Sequence, residues 1–215
     1  MSSPRTYRQL CPIAYTLDVV GDRWTLLILR ELQYSPRRFS DIMTGLDSAA
    51  SNLVINRLRQ LVQARLIRRR RLPPPAAADV YELTPRGREL RSVLDAMSRW
   101  GMELLVEEVR GDDHLSASGL LNVLEVLYRK PPREPVTCTL RMGDEVFSVT
   151  AGGPTLRILV SAPVSAAVVL EAAPKTVLLL AMRRLRPHAA ITTGDIKLVR
   201  GSIEDLENFL AVFAG

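Results

Sequence analysis

The chain has 215 residues, of which 47% are apolar and 24% charged, which fits a water-soluble globular protein with room for two small domains. Its formal net charge of +6 lies wholly in the first half: residues 1–110 hold 18 Lys and Arg against 12 Asp and Glu, while residues 111–215 hold 11 of each. Two cysteines, Cys11 and Cys138, cannot build a disulfide framework, and His114 and His188 stand apart from any Cys or acidic cluster, so neither a metal nor another cofactor is expected.

The first residues lack the continuous apolar segment of a signal peptide, and no apolar run of about 18 residues occurs. A cytoplasmic protein with no membrane association is therefore expected. Residues 12–20 are expected to form a short helix with Ile13, Leu17 and Val20 on one side, broken by Gly21. Asp22 is expected to cap a second helix, whose Trp24, Leu27, Ile28 and Leu32 are core-spaced. That helix is apolar around most of its girth and reads as the buried centre of the domain. Ser35-Pro36 reads as a cap with proline in the first turn of a third helix, with Phe39, Ile42, Met43 and Leu46 at i, i+3, i+4 and i+7. Asp47 or Ser48 is expected to cap the fourth.

Residues 48–71, SAASNLVINRLRQLVQARLIRRRR, are the most distinctive stretch. On a wheel centred on Val54, Ala50, Leu58 and Leu61 fall within about 40° and make one apolar stripe. Asn52, Asn56, Arg59 and Gln63 occupy the opposite face, with Ser48 and Ile55 at its border. Amide and guanidinium groups pair bidentately with adenine and guanine edges. A solvated helix face would look the same, so the neighbours decide. Residues 37–71 contain nine arginines and two acids, a one-sided patch suited to a polyanion. Ile67 to Leu72 reads as a strand, residues 73–78 as a stiff loop, and Val80–Leu83 as a return strand, hence a wing behind a helix-turn-helix. Because side chains alternate, Arg68, Arg69, Arg70 and Arg71 place two guanidinium groups on each side.

Thr84-Pro85 is a second cap-plus-proline start, leading into a helix over residues 86–109. Leu90, Leu94, Met97, Gly101 and Leu104 lie at near-heptad spacing, and Trp100, Leu105 and Val109 broaden the stripe. So much apolar surface suits a homodimer interface. Packing on the second domain is the other way to bury it. A dimer would set two reading helices about one turn, roughly 34 Å, apart on a pseudo-palindromic double-stranded DNA operator.

Gly111-Asp112-Asp113 reads as a linker. Beyond it, a helix over 116–129 is followed by Val136, Cys138, Leu140 and Met142 alternating with Thr137, Thr139 and Arg141, a strand with one buried face. Further strands are expected at 145–150, 155–160 and 165–171. Pro174 opens a helix with Val177, Leu178, Ala181, Met182 and Leu185 on one side, residues 196–200 form a strand, and Ser202-x-x-Asp205 is a capping box. The last helix places Leu206, Phe209, Leu210 and Phe213 inward.

Two family resemblances rest on these residues. Residues 11–105 resemble the HxlR-type winged helix-turn-helix regulators of bacteria. The match runs through Cys11-Pro12, residues 17–24 (LDVVGDRW), residues 27–32 (LILREL), Arg38-Phe39, Asn52-Leu53, residues 57–61 (RLRQL), residues 81–84 (YELT), Gly87 and Trp100-Gly101. The resemblance implies a dimeric DNA-binding transcription factor, usually a repressor, dimerising through its first and last helices. Three positions depart from that pattern: Ala49 stands for a bulky aliphatic, Ile55 for a small polar residue, and Arg65 for a glycine ending the reading helix. If position 65 needs positive φ, Arg65 costs about 1 kcal/mol. In some such regulators the cysteine matching Cys11 senses oxidants or electrophiles; a small packing residue is the alternative here. Residues from about 160 onward, from AAVVLEAAPK to NFLAVF, resemble the sterol-carrier-protein lipid-binding domain, which implies a small hydrophobic ligand.

The expected fold class is therefore α+β, a winged helix-turn-helix domain at 1–110 and a sterol-carrier-like domain at 111–215. Ser48, Ser51, Asn52, Asn56 and Arg59 are the expected base readers, and Arg37, Arg38, Arg68, Arg69, Arg70 and Arg71 the phosphate contacts. Phe147, Met182, Phe209 and Phe213 are candidate ligand liners, or plain core. Ligand binding would act on the readers through the helix at 86–109. The rival expectation is a lipid carrier with non-specific nucleic-acid affinity. No Ser/His/Asp set, carboxylate pair or cofactor loop suggests an enzyme.

Overall fold

A computed structural model describes residues 6–107, 113–160 and 165–213. The chain divides into two compact units, Met1–Ala96 and Met97–Gly215. The division falls inside a helix. The expected boundary at 110/111, the linker residues Gly111 and Asp112, and Val109 lie outside the described residues.

In the first unit, α1 (Pro12–Val20), α2 (Thr25–Glu31), α3 (Phe39–Leu46) and α4 (Ser51–Gln63) precede a hairpin of β1 (Ile67–Arg71) and β2 (Asp79–Leu83). Helices α5 (Pro85–Glu89) and α6 (Arg91–Glu107) follow, α6 continuing past the division. The apolar stripes close on one core: Ile28, Leu29, Ile42, Val54, Leu58 and Leu61 are each at most 1% exposed. Burying each such side chain contributes about 1.5–3 kcal/mol. Ile67, Leu83 and Tyr81 join that core, so the base of the hairpin is packed rather than pendant.

Several helix starts differ from expectation. Asp22 does not cap α2; Trp24 is the N-cap, at φ +78°, and the Asp22 carboxylate is instead 2.7 Å from Arg57 Nη1. Leu27 is exposed, so α2 is buried over most of its girth but not all round. Ser35-Pro36 precedes α3 without starting it. The Arg37 backbone exchanges two hydrogen bonds with Tyr81 (2.9 and 2.8 Å), which holds it extended, and the helix starts one residue past Arg38. There the Asp41 carboxylate accepts from Arg38 N at 2.9 Å. Neither Asp47 nor Ser48 caps α4: Asp47 turns at φ +41°, Ala49 enters the core, and Ala50 is the N-cap, exposed rather than on the apolar stripe.

Thr84 does cap its helix, accepting from Gly87 N at 3.1 Å. The helix expected over 86–109 is interrupted at Leu90, and its residues past Glu107 lie outside the described range. The expected single stripe on it is two. Leu94 is buried and Leu90 partly so, whereas Val93, Met97, Trp100 and Leu104 are 41–76% exposed and recur at i, i+4, i+7 and i+11.

In the second unit, α7 (Ala117–Leu127) precedes β3 (Val136–Met142), β4 (Glu145–Ala151), β5 (Arg157–Val160), β6 (Val168–Ala172), α8 (Pro174–Ala181), α9 (Pro187–Thr192), β7 (Ile196–Arg200) and α10 (Ile203–Leu210). The sheet order is β5-β4-β3-β6-β7, with β3 and β6 parallel and every other pair antiparallel. Gly143, at φ +60°, makes the β3–β4 turn. Cys138 pairs with Val149 and Leu140 with Phe147, all buried, and α10 packs against β3. The opposite face is not solvated at its centre, contrary to expectation, since Thr139 and Ser148 are each 1% exposed. The six-residue helix α9 was not expected; it is too short for a periodic signal.

Candidate nucleic-acid interface

Helix α4 turns Val54, Leu58 and Leu61 into the core and leaves Asn52, Asn56, Arg59 and Gln63 exposed on the other side. The spacing i, i+4, i+7, i+11 makes them one continuous row. Arg59 Nη1 donates to Asn56 Oδ1 at 3.3 Å, so the two side chains lean together along it. Ser51 is the first residue of α4 and exposed; Ser48 is exposed but sits in the preceding turn, off the helix.

Arg57, on the same helix, is not part of the row. Its guanidinium pairs with Asp22, donates to Gln60 Oε1 at 2.8 Å and reaches the Arg23 carbonyl at 3.4 Å. It ties α4 to the turn between α1 and α2. Arg37, expected among the phosphate contacts, is a correction: it is 7% exposed and donates from Nε to the Glu31 carbonyl at 3.3 Å. Burial lowers its pKa, against the raising effect of Glu31 and Asp41. Arg38 remains exposed at the start of α3.

The hairpin register decides how the four consecutive arginines are distributed. Arg68 stands opposite Glu82 and Arg70 opposite Val80 on one face; Arg69 stands opposite Tyr81 and Arg71 opposite Asp79 on the other. Glu82 pairs with both Arg68 (2.6 Å) and Arg70 (3.0 Å). Asp79 pairs with Arg69 (2.8 Å) and, more loosely, Arg71 (3.9 Å). Burial would raise the Glu82 carboxyl, but hydrogen bonds and charge from Arg70 and Arg68 outweigh it and hold it below the ordinary range. Hydrogen bonding and charge from Asp79 raise Arg69. The wing therefore carries four cations on two carboxylates. The roles of Asp79 and Glu82 were missed from the sequence, although a hairpin that joins Ile67 to Leu83 already implies them.

Cys11 is half-buried at the N-cap of α1, and Cys138 is buried in β3 with its thiol pushed up by desolvation. Phe147, Phe209 and Phe213 are at most 2% exposed, with the last two in edge-to-face contact at 5.4 Å; Met182 is half-buried at the end of α8. Among the described residues no group of three or more His, Cys, Asp and Glu is placed to hold a metal, and no helix is long and apolar enough to cross a membrane.

The profile of a family described as HxlR-like helix-turn-helix matches residues 19–109. An uncharacterized HTH-type transcriptional regulator of Synechocystis sp. is 35% identical over 99 residues, 46% of this chain and 73% of that protein. The uncharacterized HTH-type transcriptional regulator Rv3095 of Mycobacterium tuberculosis is 37% identical over 93 residues, 43% of this chain; the match spans 58% of the mycobacterial protein. Among solved structures, the reduced form of the transcriptional regulator YodB from B. subtilis is 27% identical with a TM-score of 0.40, covering 46% of this chain and 99% of that one.

Proposed function

Since this chain belongs to the HxlR-like helix-turn-helix family through residues 19–109, we propose that it is a homodimeric transcription regulator, acting as a repressor, whose α4 reads bases in the major groove of a pseudo-palindromic operator. The observation that carries the reading is the exposed row of Asn52, Asn56, Arg59 and Gln63 on a helix whose other side is core. Asn reads adenine and Arg reads guanine by paired hydrogen bonds. Ser48 and Ser51 extend the contact at the start of the helix. Arg38 and the wing arginines Arg68, Arg69, Arg70 and Arg71 hold phosphates, which position the helix without carrying sequence information. The family's HTH-type regulators support the DNA-binding part; the exposed apolar residues of α1 (Ile13, Tyr15, Leu17, Val19) and of α6 support the dimer.

The second unit is the sensor in this proposal. Its order of strands and helices supports a sterol-carrier-like domain at 111–215, with a small hydrophobic ligand held beside Phe147, Met182, Phe209 and Phe213. Mass spectrometry of small molecules extracted from the purified protein tests that part; an empty extract counts against it. A thiol switch at Cys11 is the secondary reading, motivated by its place at the head of α1. It would appear as a loss of DNA binding on mild oxidation, reversed by dithiothreitol and absent in Cys11→Ser.

Selection of duplexes from a random pool by the full-length protein tests the central proposal. Enrichment of one two-fold-related sequence at near-physiological salt is the expected result. Arg59→Ala should relax base preference at one position of each half-site, at about 1–3 kcal/mol. No preference over bulk DNA sinks the regulator and leaves a carrier with non-specific nucleic-acid affinity.

A further inference from the structure

On one face of the wing, two arginines flank a single carboxylate from the opposite strand. Glu82 Oε1 accepts from Arg68 Nε at 2.6 Å and lies 2.6 Å from its Nη2; Glu82 Oε2 accepts from Arg70 Nε and Nη2 at 3.1 and 3.0 Å. The two long side chains are 64% and 44% exposed, yet the Glu82 side chain between them is 10% exposed. A carboxylate so enclosed is costly unless compensated, and here its compensation is the pair of guanidinium groups. Both use the same edge, Nε with Nη2. The other edge of each guanidinium, Nη1 with the outer N–H of Nη2, has no protein partner among the described residues. The other face differs. Asp79 is 39% exposed and holds Arg71 only at 3.9 Å.

We propose that Glu82 is a positioning residue, which fixes Arg68 and Arg70 as a pair whose two outward edges take the phosphate backbone of DNA. The inference rests on the DNA-reader function proposed above. Charge counting alone points the other way: Glu82 subtracts one positive charge from the wing, and removing it would strengthen attraction to a polyanion. Fixing works against that, because a long arginine held in one geometry loses less freedom when its second edge binds. The register supplies the fixing, since Arg68 is directly opposite Glu82 and Arg70 is two residues along the same face.

The test measures binding of the full-length protein to a labelled mixed-sequence duplex over a salt titration, with thermal melts of every variant. Glu82→Gln should weaken binding about tenfold. It should also lower the slope of log affinity against log salt by about one to two, although the protein has gained positive charge. Glu82→Asp, which keeps the carboxylate, should retain most of the affinity. In an R68A/R70A background, E82Q should change neither affinity nor slope, which a general loosening of the wing would not reproduce. Binding by E82Q as tight as or tighter than wild type overturns the proposal, as does an equal loss in the R68A/R70A background. A wild-type protein with no salt-dependent duplex binding would instead bring down the DNA-reader reading itself.

Discussion

Arg65 follows α4 in the left-handed region, at φ +57°, where a side chain is strained and glycine is not. Its side chain is exposed, so no buried contact offsets the strain. Arg65→Gly should therefore raise stability, by about 1 kcal/mol in denaturant melts; a neutral or negative change would show that the turn is held by something other than local backbone preference. Gly87 illustrates the opposite case. A Cβ there would sit 2.0 Å from the Leu66 carbonyl oxygen, so the close approach of α5 to the turn between α4 and β1 depends on the missing side chain. Both positions stood out in the sequence, one as a departure from the family pattern and one as a match to it. Only the backbone angles and distances turned them into physical statements.

At the scale of elements, local chemistry was legible where it involves neighbours in sequence. The Ser202–Asp205 capping box closes α10 as expected, with Asp205 N donating to Ser202 Oγ at 3.1 Å and Ser202 N to Asp205 Oδ2 at 2.7 Å. Ser202 N and, at 2.8 Å, Ser202 Oγ both donate to Asp205 Oδ2, and these two hydrogen bonds hold the Asp205 carboxyl below its ordinary value, against an opposing effect of burial. A carboxylate lowered in the folded state adds stability that is complete above its unfolded pKa, near 4, and fades as pH falls through the lower folded value. Asp205→Asn should remove that dependence, so wild type and variant should differ at pH 7 and converge toward pH 2 in a stability titration. A constant gap would mean that shape, not charge, carries the cap. Starts that hang on distant partners were not legible. Arg37 was expected in the first turn of α3, but two hydrogen bonds to Tyr81, far along the chain, keep it extended. Asp22 was expected as a cap and is taken by Arg57.

For the molecule as a whole, the unresolved demand is apolar surface. Val93, Met97, Trp100 and Leu104 make an exposed stripe beside the inward one on α6, with Trp100 at 76% exposure. Large aromatic residues at the centre of such a stripe dominate association energies, so Trp100→Glu should weaken the proposed dimer by about 2 kcal/mol or more. Sedimentation velocity should then show monomer at concentrations where wild type is dimeric, with an unchanged circular dichroism spectrum at about 25 °C and a lower melt, because dimerisation adds to apparent stability. A dimer that survives Trp100→Glu would place the contact elsewhere, with α1 as the next face to alter.

What the sequence determined by itself was everything written in periodicity. The helix type of α4, its inward Val54, Leu58 and Leu61, its outward Asn52, Asn56 and Arg59, the hairpin behind it and the presence of strand β3 all follow from spacings of a few residues. Periodicity is a local signal, repeated every turn or pleat, and needs no partner. Tertiary structure alone decided which charges meet. It buried Arg37, paired Arg57 with Asp22, split the α6 stripe in two and set Arg68 and Arg70 on Glu82. Those outcomes depend on strand register and on contacts between residues far apart in the chain, where a shift of one residue sends a side chain to the other face.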